Sequence, residues 1–334
     1  MRAGLPRVYV SRLIPEPGLS FIKENSNASI NTVDHPASRE ELLKETRDCE
    51  GVLITLNEKI DEEFLNNAQR IKVISSFSVG LDHVDVPACT RHGVMVTNTP
   101  DVLTEATADL AFALILATAR RLVEGDRFIR RGNWNAPWSP NLLVGQEISG
   151  ATLGIVGFGR IGQAVARRAS GFDMRIVYNS IGRHEHDTIG KYLSLEELLK
   201  VSDIVSVHLP LTPNTSHLFG EKEFSLMKKS AIFINTSRGG IVDQAALCAA
   251  LKNREIFGAG LDVFEKEPIS FKDPILMLDN IVITPHLGSA STKARAGMSE
   301  LAARNLIDAL SGRIPKALVN KEVLHGKSSQ TSTV

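Results

Sequence analysis

The sequence predicts an α/β protein built from two doubly wound parallel-sheet domains, and three observations carry that expectation. Short runs rich in Val and Ile alternate with helical patterns along almost the whole chain, as repeated βαβ units require. At 334 residues the chain is too long for one ordinary core. A glycine-bearing turn, Gly157-Phe158-Gly159-Arg160-Ile161-Gly162, separates one apolar run from a helical segment, whereas residues 1–100 hold no such turn.

Taken in order, Val8–Val10 reads as a strand, followed by a Pro-rich turn, a helix over Leu19–Glu24 and a strand over Ser29–Val33. A helix at Arg39–Thr46 precedes a strand at Gly51–Thr55. Asp61–Ala68 is helical and leads into a strand at Lys72–Ser75, and Val94–Thr97 closes the series. Asp101–Leu122 reads as one long helix whose apolar residues recur around much of its circumference, which predicts burial on most sides. Ala151–Val156, the glycine turn, Gln163–Ala169 and Met174–Tyr178 then make one βαβ module. Further strands come at Ile204–His208, Ala231–Asn235, Gly258–Val263 and Ile281–Thr284. Ser291–Leu310 is a last long helix, with Ala294, Met298, Leu301, Ala302, Leu306, Ile307 and Leu310 on its apolar side. Its return to the first unit predicts that residues 101–289 are inserted in a domain formed by residues 1–100 and 290–324. Residues 325–334 are polar and small, and are expected to be disordered.

The glycines point to a phosphate-bearing ligand. Gly157 permits the turn, Gly159 lets a pyrophosphate approach the backbone, and Gly162 lets helix and strand pack closely. The helix N-terminus presents free N–H groups to the phosphates. Residues Gly157, Phe158, Gly159, Arg160, Ile161 and Gly162 are therefore candidate contacts of a dinucleotide, and 101–289 is expected to be a Rossmann domain. The residues at the end of the next strand select the dinucleotide. A carboxylate there would hold the ribose 2′-hydroxyl of NAD. Asn179-Ser180-Ile181-Gly182-Arg183 stands there instead, with Asn179, Ser180 and Arg183 as candidate contacts. With no carboxylate to repel a 2′-phosphate, and Ser180 and Arg183 able to donate to it, NADPH (NADP) is expected to be preferred, with NADH possible.

Composition narrows the class further. The 38 Lys and Arg residues match the 38 Asp and Glu residues, so no net charge draws the chain to nucleic acid or anionic membrane. Cys49, Cys89 and Cys248 are far apart and lack metal-ligand spacing, so they are expected to be reduced thiols and no metal is expected. The longest apolar stretch, Leu110–Ala119, is about half of what a membrane span needs. The N-terminus enters a strand without a signal-peptide core, and the cytoplasm is the expected compartment.

Three strand ends carry chemistry. Reducing an oxo acid with a nicotinamide requires a cation for the carboxylate, a proton donor for the carbonyl oxygen, and an anion that tunes the donor. Asn235-Thr236-Ser237-Arg238-Gly239-Gly240 offers Arg238, Asp262-Val263-Phe264-Glu265-Lys266-Glu267-Pro268 offers Glu267, and Thr284-Pro285-His286 offers His286. All three lie where open α/β sheets bind ligands.

With these residues in view, the chain resembles the D-isomer-specific 2-hydroxyacid dehydrogenase family, and within it the glyoxylate/hydroxypyruvate reductase subgroup. The resemblance runs from Val8 to about Glu322 through Ser78-Val-Gly-Leu-Asp82, Asn98-Thr-Pro-Asp-Val-Leu103, Val156–Gly162, Ser237-Arg-Gly-Gly240, Gly260-Leu-Asp-Val263 and Pro285-His-Leu-Gly-Ser-Ala290. It implies a flavodoxin-like substrate domain beside the Rossmann domain. It also implies that His286 is the general acid, that Glu267 hydrogen-bonds its other ring nitrogen and raises its pKa, and that Arg238 binds the carboxylate. Val79 and Gly80 would hold that carboxylate through backbone N–H groups from the other domain. Asp262 would accept from the nicotinamide carboxamide, Thr236, Ser237 and Gly288 would line the cofactor site, and Ser289 would line the substrate site. Trp138 belongs to a loop, Gly132–Trp138, that resembles the family's Trp-bearing loop and is expected to meet substrate. Ile181 stands where NADP-type members often carry a second basic residue, a departure that weakens the NADPH reading. A homodimer is implied, with Asp101–Leu122 and Trp134–Trp138 as candidate interface. The implied products have the D configuration. A reductase of a bulkier oxo acid such as hydroxyphenylpyruvate, and a dinucleotide-sensing binding protein akin to transcriptional corepressors, remain open alternatives.

Overall fold

The structure is a computed structural model that describes residues 4–33, 35–181 and 189–325. Arg183 therefore lies outside the described residues, as do Gly182, His184 and residues 326–334 of the expected tail. The chain divides into two compact units, Met1–Leu103 with Ala290–Val334, and Thr104–Ser289.

In the first unit, strands β1 (Arg7–Val10), β2 (Asn27–Ile30), β3 (Gly51–Ile54), β4 (Val73–Ser76) and β5 (Met95–Thr97) form a parallel sheet of order β2-β1-β3-β4-β5. That is the flavodoxin-like doubly wound order. β3 and β4 are buried along their whole length, as strands covered on both faces must be. One face packs Tyr9, Val52, Ile54, Phe64 and Ile74 into a core. The other is covered by the Thr292–Leu310 helix, to whose Ala302 carbonyl Ser75 Oγ donates at 2.8 Å. The Gly18–Asn25 helix packs in turn on that helix, backbone to backbone at Gly18, where a Cβ would stand 2.2 Å from the Ser299 carbonyl oxygen. β2 ends earlier than the expected Val33. The Asn31 amide donates to the carbonyls of Ser11 and His35 while its oxygen accepts from Val33 N–H, a local turn that outcompetes strand pairing.

In the second unit, β6 (Thr152–Val156), β7 (Arg175–Asn179), β8 (Lys191–Tyr192), β9 (Ile204–Val207), β10 (Ile232–Asn235), β11 (Gly258–Leu261) and β12 (Ile281–Ile283) form a parallel sheet of order β12-β11-β10-β9-β6-β7-β8. The order reverses between β6 and β9, the Rossmann switch point. Apolar cores lie on both faces, one around Phe219, Phe224 and Phe233, the other around Ile115, Leu153, Val165 and Ile234. The fold class expected from the sequence is thus observed in both units.

The expected Asp101–Leu122 helix is two helices, Thr104–Ala119 and Leu122–Arg130, broken at Arg121 with φ +53°. The Ala119 carbonyl explains the break. It accepts from Gln146 N–H at 2.8 Å, and Gly145 packs so closely that a Cβ would lie 2.1 Å from that oxygen. The acceptor needed for another helical turn is taken by a segment distant in sequence. The Thr104–Ala119 helix is buried along much of its length, including Ala108, Ala111, Leu114 and Ile115. Among the described residues, no helix is long and apolar enough to cross a membrane.

Candidate active site

The glycine turn joins β6 to the Arg160–Ala169 helix. Gly157 takes φ +97° and donates its N–H to the Asn179 carbonyl at 2.8 Å, while a Cβ would lie 2.5 Å from the His208 carbonyl oxygen. At Gly162 a Cβ would collide with the Gly157 carbonyl oxygen at 2.2 Å, so helix and turn touch backbone to backbone. At Gly159, which caps the helix, a Cβ would meet nothing within 4 Å. Open space before a row of helix N–H groups is what a pyrophosphate needs. The buried Thr236 Oγ1 just beyond β10 has no protein partner, a second opening for a polar ligand group. The residues present therefore fit a dinucleotide.

The residues of the motif differ in their surroundings. The Phe158 ring is buried and stacks on Tyr178 with centroids 4.1 Å apart, so only its backbone faces outward chemistry. Arg160 is exposed and Ile161 half-buried. Asn179 is engaged by the fold, its amide donating to the Leu193 carbonyl at 2.9 Å. Ser180 is half-buried, and Ile181 is fully exposed.

Arg238, Glu267 and His286 come together because β10, β11 and β12 are neighbours and each residue follows one of them. The Asn235 side chain shapes the first loop, accepting from Ser237 N–H at 3.0 Å and Ser237 Oγ at 2.8 Å, and donating to the Arg238 carbonyl at 2.9 Å. Gly239 then presses on the second loop. A Cβ there would sit 1.8 Å from the Phe264 carbonyl carbon, so the Arg238 and Glu267 loops touch through bare backbone. No larger residue could allow that contact.

Glu267 Oε1 accepts from Phe264 N–H at 3.0 Å, and Oε2 accepts from His286 Nδ1 at 2.7 Å. Burial alone pushes the Glu267 carboxyl up. The His286 hydrogen bond and charge, the Phe264 N–H and the nearby Arg238 outweigh it and hold the group below the usual carboxylate value. A carboxylate can only accept, so the proton of this bond belongs to Nδ1, and Nε2 is left for other partners. His286 itself takes φ +55°, and its N–H donates to the Asp262 carbonyl at 2.9 Å.

Asp262 has no exposed surface. Its carboxylate accepts from Thr284 Oγ1, Leu287 N–H and Gly288 N–H at 2.6, 2.6 and 2.7 Å. What the residue does is hold the His286 loop. Gly288 is buried in the same clamp, and Ser289 beyond it is half-buried.

Val79 and Gly80 belong to the first unit, in the loop after β4. Ser78 Oγ donates to the Gly80 carbonyl at 2.7 Å, and the Asn98 amide donates to the Val79 carbonyl at 2.9 Å. Side chains thus hold both carbonyls of the loop. Trp134 and Trp138 are exposed, Trp138 at 82 %.

Sequence reading missed three participants. His208 lies under the glycine turn with Nε2 2.8 Å from Ser206 Oγ, and burial pushes its pKa down to about 4. Gly239 and Thr284 were also passed over. Arg238-Gly239-Gly240 carried a signal for Gly239, because a glycine beside a functional cation often marks close backbone approach. Thr284 carried none.

The chain is similar to known proteins over nearly its whole length. Residues 112–288 match the family described as D-isomer specific 2-hydroxyacid dehydrogenase, NAD binding domain. The chain is 51 % identical over 324 residues to a glyoxylate reductase of Thermofilum pendens, covering 96 % of each chain. The chain belongs to the D-isomer specific 2-hydroxyacid dehydrogenase family. As a member of this dehydrogenase family, it is an oxidoreductase that uses a nicotinamide dinucleotide. A solved structure from Thermus thermophilus superposes with a TM-score of 0.88 at 46 % identity, covering 94 % of this dehydrogenase and 99 % of that chain. A Sinorhizobium meliloti NADPH-dependent glyoxylate/hydroxypyruvate reductase, solved with NADP and malonate, superposes with a TM-score of 0.84 at 33 % identity, covering 95 % and 97 %.

Proposed function

We propose that this dehydrogenase reduces small 2-oxo acids, glyoxylate to glycolate and hydroxypyruvate to D-glycerate, with His286 as the general acid. The observation that carries the reading is the 2.7 Å bond from His286 Nδ1 to Glu267 beside Arg238. The glyoxylate reductase from Thermofilum pendens and the Sinorhizobium meliloti reductase support the substrate class.

When bound, the reduced dinucleotide supplies the hydride. The turn from Gly157 to Gly162, with Thr236, Ser237 and Gly288, would hold it, and Asn179, Ser180 and Arg183 would choose its ribose form. The absence of a carboxylate at the end of β7 supports NADPH over NADH. The chain's own residues do the rest. Arg238 binds the substrate carboxylate through its forked guanidinium, a task Lys performs poorly. Val79 and Gly80, which the family resemblance assigns to the substrate carboxylate, would offer it backbone N–H groups. Protonated His286 gives its Nε2 proton to the carbonyl oxygen as negative charge develops there, and Glu267 steadies the ring through Nδ1. The exposed Trp134 and Trp138 support a homodimer in which their loop and the Thr104–Ala119 helix meet the partner. The cytoplasm is the proposed compartment.

The test is oxidation of NADPH and of NADH by the purified protein with glyoxylate, hydroxypyruvate and 4-hydroxyphenylpyruvate. Turnover is expected to be fastest with NADPH and either small acid. A preference for 4-hydroxyphenylpyruvate would reassign the substrate, and a preference for NADH would overturn the coenzyme reading. Dinucleotide binding without turnover would favour a sensing protein over an enzyme.

A further inference from the structure

We propose that Thr284 and Asp262 form a positioning clamp that sets the direction of the His286 imidazole. The proposal rests on the reading of His286 as proton donor and adds a role for two residues that do not touch the ring.

Four attachments converge on Asp262. Its backbone carbonyl accepts from His286 N–H at 2.9 Å. Its Oδ1 accepts from Thr284 Oγ1 and from Leu287 N–H, both at 2.6 Å, and its Oδ2 accepts from Gly288 N–H at 2.7 Å. The chain on both sides of His286 is thus tied to one buried side chain at the end of β11. His286 needs this. Its φ of +55° is a conformation that residues with a Cβ avoid, so surrounding structure must impose it. A left-handed residue also turns its side chain away from the course of the strand before it. The same clamp that holds the backbone therefore decides where Nε2 points.

Packing leaves the loop little slack. A Cβ at Gly288 would lie 3.3 Å from Asp262 Oδ2 and 3.4 Å from Thr107 Cγ2. Burial holds the Asp262 carboxyl above the usual carboxylate value, and the Thr284 hydroxyl, the two loop N–H groups and the His286 charge offset only part of that rise. Removing one donor both loosens the loop and leaves a buried acceptor short of a partner.

Thr284 separates this role from dinucleotide binding. Thr284→Val keeps the shape and deletes the donor, Thr284→Ser keeps the donor, and Thr284→Ala deletes it with less bulk should the valine variant fold poorly. For each full-length variant, kcat and KM with glyoxylate, the dinucleotide Kd by fluorescence titration and the melting temperature would be measured. A misaimed acid costs turnover, so Thr284→Val and Thr284→Ala are expected to lose roughly tenfold in kcat with Kd changed less than about twofold. Thr284→Ser should restore most of the turnover. Unchanged kcat in the Val and Ala variants would overturn the clamp, as would a loss confined to dinucleotide Kd. His286→Ala, measured in parallel, tests the underlying reading separately. If it keeps native turnover, the proton-donor role falls whatever the Thr284 variants do.

Discussion

The carboxyl edges of the two parallel sheets are furnished in opposite ways. Beyond β10, β11 and β12 stand Arg238, Glu267 and His286, charged or chargeable side chains that keep some exposure and pair with one another. Beyond β4 and β5 the chain uses Ser78 and Asn98, whose hydroxyl and amide donate to the Gly80 and Val79 carbonyls and so fix backbone. The two edges occupy the same topological position and solve different problems. Ionisable groups need partners and partial hydration to stay charged. A loop that offers only N–H groups needs its carbonyls held from behind.

The sharpest way to break that contrast is to remove a side chain from the charged edge. His286→Ala should lower kcat by about 10²-fold or more, the scale of a missing general acid, with dinucleotide Kd near native. Steady-state kinetics with glyoxylate decide it, and near-native kcat would place the proton donor elsewhere. A change on the neutral edge should act on binding and less strongly. Ser78→Ala removes the donor to the Gly80 carbonyl at a net cost of about 1 kcal/mol, so KM for the oxo acid should rise roughly fivefold with kcat held. A fall in kcat with unchanged KM would mean that this loop does not meet the substrate carboxylate.

The smallest expected effect is on stability. Burial lowers His208 from 6.5 to about 4, so the native chain holds it neutral over a range where the unfolded chain takes up a proton. Its contribution is whole above pH 6.5 and is lost as pH falls towards about 4. Glu267, whose carboxyl is lowered from 4.5, loses its contribution only below that value. The melting temperature should therefore begin to fall below pH 6.5, and His208→Gln should flatten that first part of the curve. Identical slopes would remove His208 as the cause.

Much of this was legible in the chain, and the exceptions share a cause. The strands at Val8, Gly51, Lys72, Ile204 and Ile281 were visible because a buried parallel strand is an apolar run. The Arg39–Thr46 helix was read with the bounds it has. The break at Arg121 was hidden, since residues 101–122 are apolar around much of the helix and the interruption comes from the segment at Gly145 and Gln146. Phe158 was read as part of a ligand motif, yet its ring serves the core against Tyr178.

The sequence by itself determined the fold class, the family and the strand ends that carry Arg238, Glu267 and His286. Those signals are local: periodicity, a glycine spacing and a charged residue after an apolar run each lie within a few residues. Tertiary structure alone decided that Asp262 turns inward to hold the loop of His286, that Gly239 brings two loops into backbone contact, and that Asn179 ties the glycine turn to Leu193. A carboxylate or an amide is equally suited to solvent, ligand or protein. Only the donors that folding brings within hydrogen-bond reach settle which of these it meets.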